Sequence, residues 1–146
     1  MTRVEKSIEV NVPPEKIWPL VKWENVPQVF ESLKKMKWTS EEHNKVGSTL
    51  HLTTEVAGIK QESDVEITDW VENEKAAWRT IGGNATIIFS STFSPTKNGT
   101  KVTFIQEYEL PYSVLGKIID KLRFHKAIEK DTEKALIKLK AMSEKQ

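Results

Sequence analysis

The chain has 146 residues, the length of one ordinary domain, and folding at that size buries about 70% of the unfolded surface without help from disulfides or metal. Its 22 Lys and Arg against 21 Asp and Glu leave a formal charge of +1, so no broad field draws it to nucleic acid or anionic lipid. The absence of cysteine excludes a disulfide framework, a thiolate nucleophile and a cysteine zinc site, and no apolar run approaches the ~18 residues of a membrane span.

No linker, repeat or low-complexity tract divides residues 1–146, so a single domain is expected. The opening "MTRVEKSIEV" lacks the apolar centre of a signal peptide, which points to a cytoplasmic protein. Two Asn-x-Thr sequons, at Asn84 and Asn98, sit beside glycines at turns, which accounts for them without glycosylation. "RVEKSIEVNV" alternates, with Val4, Ile8, Val10 and Val12 on one side, and predicts a half-buried strand. "PPEK" then opens a short helix with Pro14 in its first turn, and Pro19 should end or kink it because proline has no N–H to donate. A second short helix is expected around "PQVFESL".

Strands follow in hairpin succession. "KKMKWTS" and "STLHLTTEVAG" come first, then "IKQESDVEITDW", whose Glu62, Asp64, Glu66 and Thr68 make one wet face. "KAAWRTI" closes on Gly82-Gly83-Asn84, "ATIIFSSTF" on Asn98-Gly99, and "TKVTFIQEYEL" on Pro111. The last segment predicts one long amphipathic helix over residues 114–143. Its stripe of Ile118, Leu122, Ile128, Ala135, Leu136 and Leu139 is interrupted by His125, Glu129 and Thr132. Hairpin-joined strands give an antiparallel sheet with one buried face, and only the terminal helix is long enough to cover it. The expected class is α+β, a curved seven-stranded antiparallel sheet wrapped around that helix with a space between them.

In this order, "IEVNVPPEKIWPLV", "ENVPQVF", "VEITDWVENEKAAWRTIGG" and "ALIKLKAM" resemble the START/Bet v 1-like (SRPBCC) superfamily, in particular its polyketide cyclase/dehydrase and coenzyme Q-binding branch. The resemblance covers essentially the whole chain. It implies the helix-grip fold, with two short helices after the first strand and a cavity that opens near the start of the long helix. It also implies a protein that binds lipids, quinones or polyketides, acts on them as a cyclase, or serves as an adaptor. Lys22-Trp23 departs from the pattern, since many relatives carry an acidic residue there.

With the charged faces outward, the strands turn Leu52, Thr54, Gln61, Ser63, Val65, Trp78, Phe89, Ser91, Phe104, Gln106 and Tyr108 toward the cavity. The helix adds Leu122, His125, Ile128, Glu129 and Thr132, and these sixteen residues are the candidate ligand contacts. Buried polar groups without partners cost roughly 1–3 kcal/mol each, so Gln61, Ser63, Ser91, Gln106 and Tyr108 need each other, water or a ligand. His125 and Glu129, four apart, can meet as an acid/base couple with Tyr108 as a hydrogen-bond donor, as a proton-sensitive gate or as a ligand anchor; the plainer reading is an ordinary helix-surface pair near the cavity mouth. His43, His51 and His125 have no paired metal spacing, so no metal and no cofactor is expected. The apolar residues of "LPYSVLG" fit a lid, a membrane or partner contact, or a helix staple.

The leading expectation is a carrier of a small apolar molecule with one polar end. The alternatives are a cyclase/dehydratase using His125, Glu129 and Tyr108, and an adaptor that binds a protein through the outer sheet face. No nucleic-acid partner and no stable membrane insertion are expected.

Overall fold

In the computed structural model, which describes residues 1–83, 85–110 and 121–145, the chain begins with strand β1 (Thr2–Val10) and helix α1 (Pro14–Ile17). A 3-10 turn (Trp18–Val21) and helix α2 (Val26–Val29) follow. Strands β2 (Leu33–Trp38), β3 (Thr49–Val56), β4 (Ile59–Val71), β5 (Lys75–Gly83), β6 (Thr86–Thr96) and β7 (Gly99–Glu109) lead to the long helix α3 (Lys121–Glu144). Pro19 acts as expected: α1 stops at Ile17 and the chain continues as the tighter 3-10 turn.

The seven strands form one sheet in the order β1-β7-β6-β5-β4-β3-β2, and every neighbouring pair is antiparallel. Five of these pairs are consecutive hairpins, and the sixth brings β1 back beside β7. Curvature is built into β4, the longest strand, which carries register shifts at Asp64/Val65 and Ile67/Asp69 against β5. Such bulges bend a strand and increase its twist. Gly83 sits opposite Ser63 at φ +106, and a Cβ there would lie 2.5 Å from the Glu62 carbonyl oxygen, so this bend requires glycine.

α3 lies on the concave face and runs beside β1. Lys6 reaches Glu129 (3.2 Å) and Glu133 (2.9 Å), Lys140 donates to the Glu9 carbonyl (2.7 Å), and Glu144 accepts from the Asn11 N–H (2.8 Å). The face it buries comprises Phe124, Ile128, Thr132, Ala135, Leu136, Leu139 and Ser143. The expected stripe therefore needs one correction. Leu122 is 63% exposed, because it lies about 100° around the helix from the middle of that face, and Phe124 occupies the inward position instead. The start of the helix expected at residues 114–120, the Asn84 sequon and the apolar residues at 111–116 lie outside the described residues.

The core has three parts. Trp18, Val29, Phe93, Phe104 and Leu136 centre the largest, where α1, α2 and the end of α3 meet the sheet. Trp23, Leu50, Leu52, Val65 and Ile67 form a second under β3 and β4. Val4, Tyr108, Phe124 and Ile128 form the third, joined by Val56 and Ile59 beside the β3–β4 hairpin. These parts do not close on one another completely.

Candidate functional site

Between the sheet, α2 and α3 lies a cavity of about 160 Å³. It is smaller than the few hundred cubic ångströms usual for a ligand pocket. The reason is an aromatic cluster: Phe30 packs against Phe89 (5.8 Å between centroids) and Phe104 (5.5 Å), and Trp78 stacks on Phe89 (5.6 Å).

Most of the strand residues expected at a ligand are brought together there. Leu52 and Thr54 of β3, Gln61 of β4 and Trp78 of β5 line the cavity. Phe89 and Ser91 of β6 and Phe104, Gln106 and Tyr108 of β7 line it as well, as does Ile128 of α3. Alternation carries all nine strand positions to one side of the sheet. Ser63 and Val65 are buried at 4% and 0% exposure but stand behind the lining, with Val65 packed among Leu50, Leu52 and Ile67. Ile67, two residues further along β4, returns to the lining.

The helix residues depart more from expectation. Thr132 is 1% exposed and does not face the cavity; its Oγ1 donates to the Ile128 carbonyl (2.8 Å), so the hydroxyl is satisfied within the helix itself. His125 and Glu129 also lie outside the lining. They pair as the i,i+4 spacing predicts, His125 Nε2 to Glu129 Oε1 at 3.3 Å, and Glu129 turns its other oxygen to Lys6 of β1. Leu122, exposed on the helix exterior, is not part of the cavity.

His125 nevertheless communicates with the cavity through Tyr108, whose hydroxyl lies 3.0 Å from Nδ1. Burial pushes the Tyr108 hydroxyl above its ordinary pKa and the Glu129 charge adds to the shift, while a hydrogen bond with Thr2 opposes it. With Nδ1 at the Tyr108 hydroxyl and Nε2 at Glu129 Oε1, both ring nitrogens of His125 are engaged. The result is a Tyr-His-Glu array running from the lining to the edge beside β1.

Three lining features escape sequence reasoning. Trp23 is 5% exposed and packs toward Trp78 (6.0 Å), so it adds an aromatic side chain to the wall. Phe124 follows an i,i+4 spacing to Ile128 that was readable. Asp131 carried no signal. It accepts a hydrogen bond from Ser32 Oγ (2.8 Å) at the cavity wall, and burial, helped by Glu31, raises its carboxyl above the usual value.

The buried polar inventory is nearly satisfied. Ser91 Oγ donates to the Ala76 carbonyl at 3.2 Å. Gln61 Oε1 is shielded from solvent and, among the described residues, has no hydrogen-bond partner. The other histidines stand apart: His43 stacks on Trp38, and His51 on the convex face meets Asp64 (2.8 Å) and Glu62 (3.4 Å). Asp64 first, and then Glu62, raise the His51 pKa. Arg79 meets Glu66 across the strands at 3.2 Å, as expected for the outer face. Among the described residues no set of His, Cys, Asp and Glu is grouped to hold a metal, and no helix is long and apolar enough to cross a membrane.

Comparison with known proteins agrees with this geometry. A protein from Thermus thermophilus superimposes with a TM-score of 0.77 at 18% identity, over 97% of both chains. The di-domain ARO/CYC StfQ from the steffimycin biosynthetic pathway superimposes with a TM-score of 0.78 at 12% identity, over 98% of this chain and 51% of StfQ. An uncharacterised 17.2 kDa protein of Streptomyces lincolnensis is 33% identical over 128 residues, 86% of this chain and 81% of that protein. The family described as polyketide cyclase / dehydrase and lipid transport matches residues 1–144, and the chain, with its seven-stranded sheet gripping α3 in a Bet v 1-like fold, belongs to that family.

Proposed function

We propose that the protein binds and carries a small, mostly apolar molecule with one polar end inside the cavity. The observation that carries this reading is a cavity whose wall is mostly apolar and aromatic, with a few polar side chains, Thr54, Gln106 and Tyr108 among them, set into it. Apolar walls with a few placed polar groups are the usual composition of small-molecule sites. Native mass spectrometry of protein purified from its own organism tests the proposal, with a retained small molecule as the expected result. In parallel, a neutral environment-sensitive dye should bind saturably, and Thr54→Phe, which places a ring in the cavity, should abolish that binding. Absence of both a retained molecule and saturable binding removes the proposal.

The Tyr108–His125–Glu129 array favours a second reading, acid/base catalysis on the same class of molecule. Tyr108 would donate to a ligand oxygen while His125 replenishes the proton, with Glu129 holding the ring. His125→Leu then lowers turnover of the retained molecule by about a hundredfold or more while binding persists. In a simple carrier the same change leaves no turnover to lose.

A further inference from the structure

We infer that the solvent face of α3 docks the protein reversibly on anionic lipid surfaces, with its lysines meeting the headgroups and Leu122 and Ile137 seated among them. This surface is separate from the cavity, and its docking does not depend on the carrier reading.

The formal +1 of the chain conceals an uneven distribution. Residues 121–145 hold eight Lys and Arg against four Asp and Glu, so this segment is net +4 and the rest of the chain is net acidic. All four acids are engaged within the fold. Glu129 and Glu133 meet Lys6 (3.2 and 2.9 Å), Asp131 accepts from Ser32 Oγ (2.8 Å), and Glu144 accepts from the Asn11 N–H (2.8 Å) and meets Lys140 (2.9 Å). Lys126, Lys130 and Lys138 are exposed and, among the described residues, have no acidic partner.

At 100° per residue, Leu122, Lys126, Ile137, Lys130 and Lys134 fall in that order within an arc of about 120°. All five are exposed, Leu122 at 63% and Ile137 at 61%, and they extend along about 22 Å of helix. The acids in the same arc, Glu133 and Glu144, are the ones held by Lys6 and Lys140. A cationic helix face with apolar side chains set into it fits the boundary of a membrane, where lysines meet lipid phosphate and apolar side chains enter the acyl edge. Nucleic acid offers the same phosphates, but it has no apolar layer for Leu122 and Ile137, and the arc has no aromatic side chain to stack on a base. The convex side of the sheet, with Glu62, Asp64 and Glu66, is repelled by the same lipid, so the molecule docks in one orientation with α3 toward the surface.

Co-sedimentation with vesicles tests this, using pure phosphatidylcholine and phosphatidylcholine with about 30% phosphatidylglycerol, at about 50 mM and about 500 mM salt. The wild-type chain should partition onto the anionic vesicles at least about tenfold more strongly than onto the neutral ones, and should lose most of that preference at the higher salt. Lys126→Gln/Lys130→Gln, at two exposed positions, should lower partition by about tenfold or more, and Ile137→Ser by about threefold. Thr54→Phe, which fills the cavity, should partition as the wild type does, which separates docking by α3 from uptake of a lipid into the cavity. A DNA duplex of about 20 base pairs, at the same phosphate concentration as the vesicles, should leave most of the protein on the lipid. Equal partition onto both vesicles, no binding to either, binding unchanged by loss of the lysines or of Ile137, binding lost in Thr54→Phe, or transfer of the protein to the duplex overturns the inference.

Discussion

The two flanks of α3 differ in what their polar residues do. On the flank beside β1, His125, Glu129 and Glu133 are tied to Tyr108 and Lys6, so charge there is paired across two elements and half in water. On the opposite flank Asp131 enters the cavity wall with one hydroxyl partner and a carboxyl that burial pushes upward. The pair that looks most like machinery in the sequence works in the fold as a clamp on an edge strand. The solitary acid, unremarkable in sequence, is the one facing the cavity. Polar spacing reports which residues can meet, whereas the cost of a charge depends on which flank the sheet covers.

The largest expected effect concerns the line between the flanks. Leu136 is 2% exposed in the principal core, so Leu136→Ala should destabilise by about 2–5 kcal/mol in urea denaturation. Leu122→Ala, at a residue 63% exposed, should stay within about 0.5 kcal/mol. Comparable losses at both positions would mean that the helix presents a different face.

That contrast also marks how far the sequence could be read. Strand order, the antiparallel sheet and the inward set from Leu52 to Tyr108 were legible because alternation has a period of two and each hairpin has its own turn residues. The helix face was legible only in its middle, at Ile128, Ala135, Leu136 and Leu139. Its limits follow from angle: Leu122 lies too far around the helix to be covered by the sheet, and Phe124 takes the inward position. Thr132 misled for a local reason: its hydroxyl is satisfied by its own helix, so a polar residue on the buried face needed no cavity.

A smaller effect sharpens the β1 flank. If the Tyr108–His125 contact is a clamp, Tyr108→Phe and His125→Leu should each cost about 1 kcal/mol. The double variant should lose less than the sum, with a coupling of about 0.5–1.5 kcal/mol in a double-mutant cycle. Strict additivity would mean that the hydroxyl and the ring act separately, and the array would lose both its structural and its catalytic reading.

The smallest expected effect belongs to Asp131 and has the opposite sign. Its folded pKa lies above the ordinary 3.8, first because burial withdraws the charge from water and then because Glu31 adds like charge, against the pull of Ser32 and Lys134. The folded state thus holds the proton more tightly than the unfolded chain does. Stability from this group is complete below the unfolded pKa and is lost as pH rises through the folded value. Asp131→Asn removes the charge, while its amide oxygen still accepts from Ser32 Oγ. Urea midpoints measured from about pH 3 to pH 7 should coincide with the wild type at the acid end and exceed it near neutrality. The gain should be below about 1 kcal/mol, since the group is partly solvated and screened. A loss at neutral pH would mean that the Asp131 charge holds the fold together as the β1 flank does, and the distinction between the two flanks would disappear.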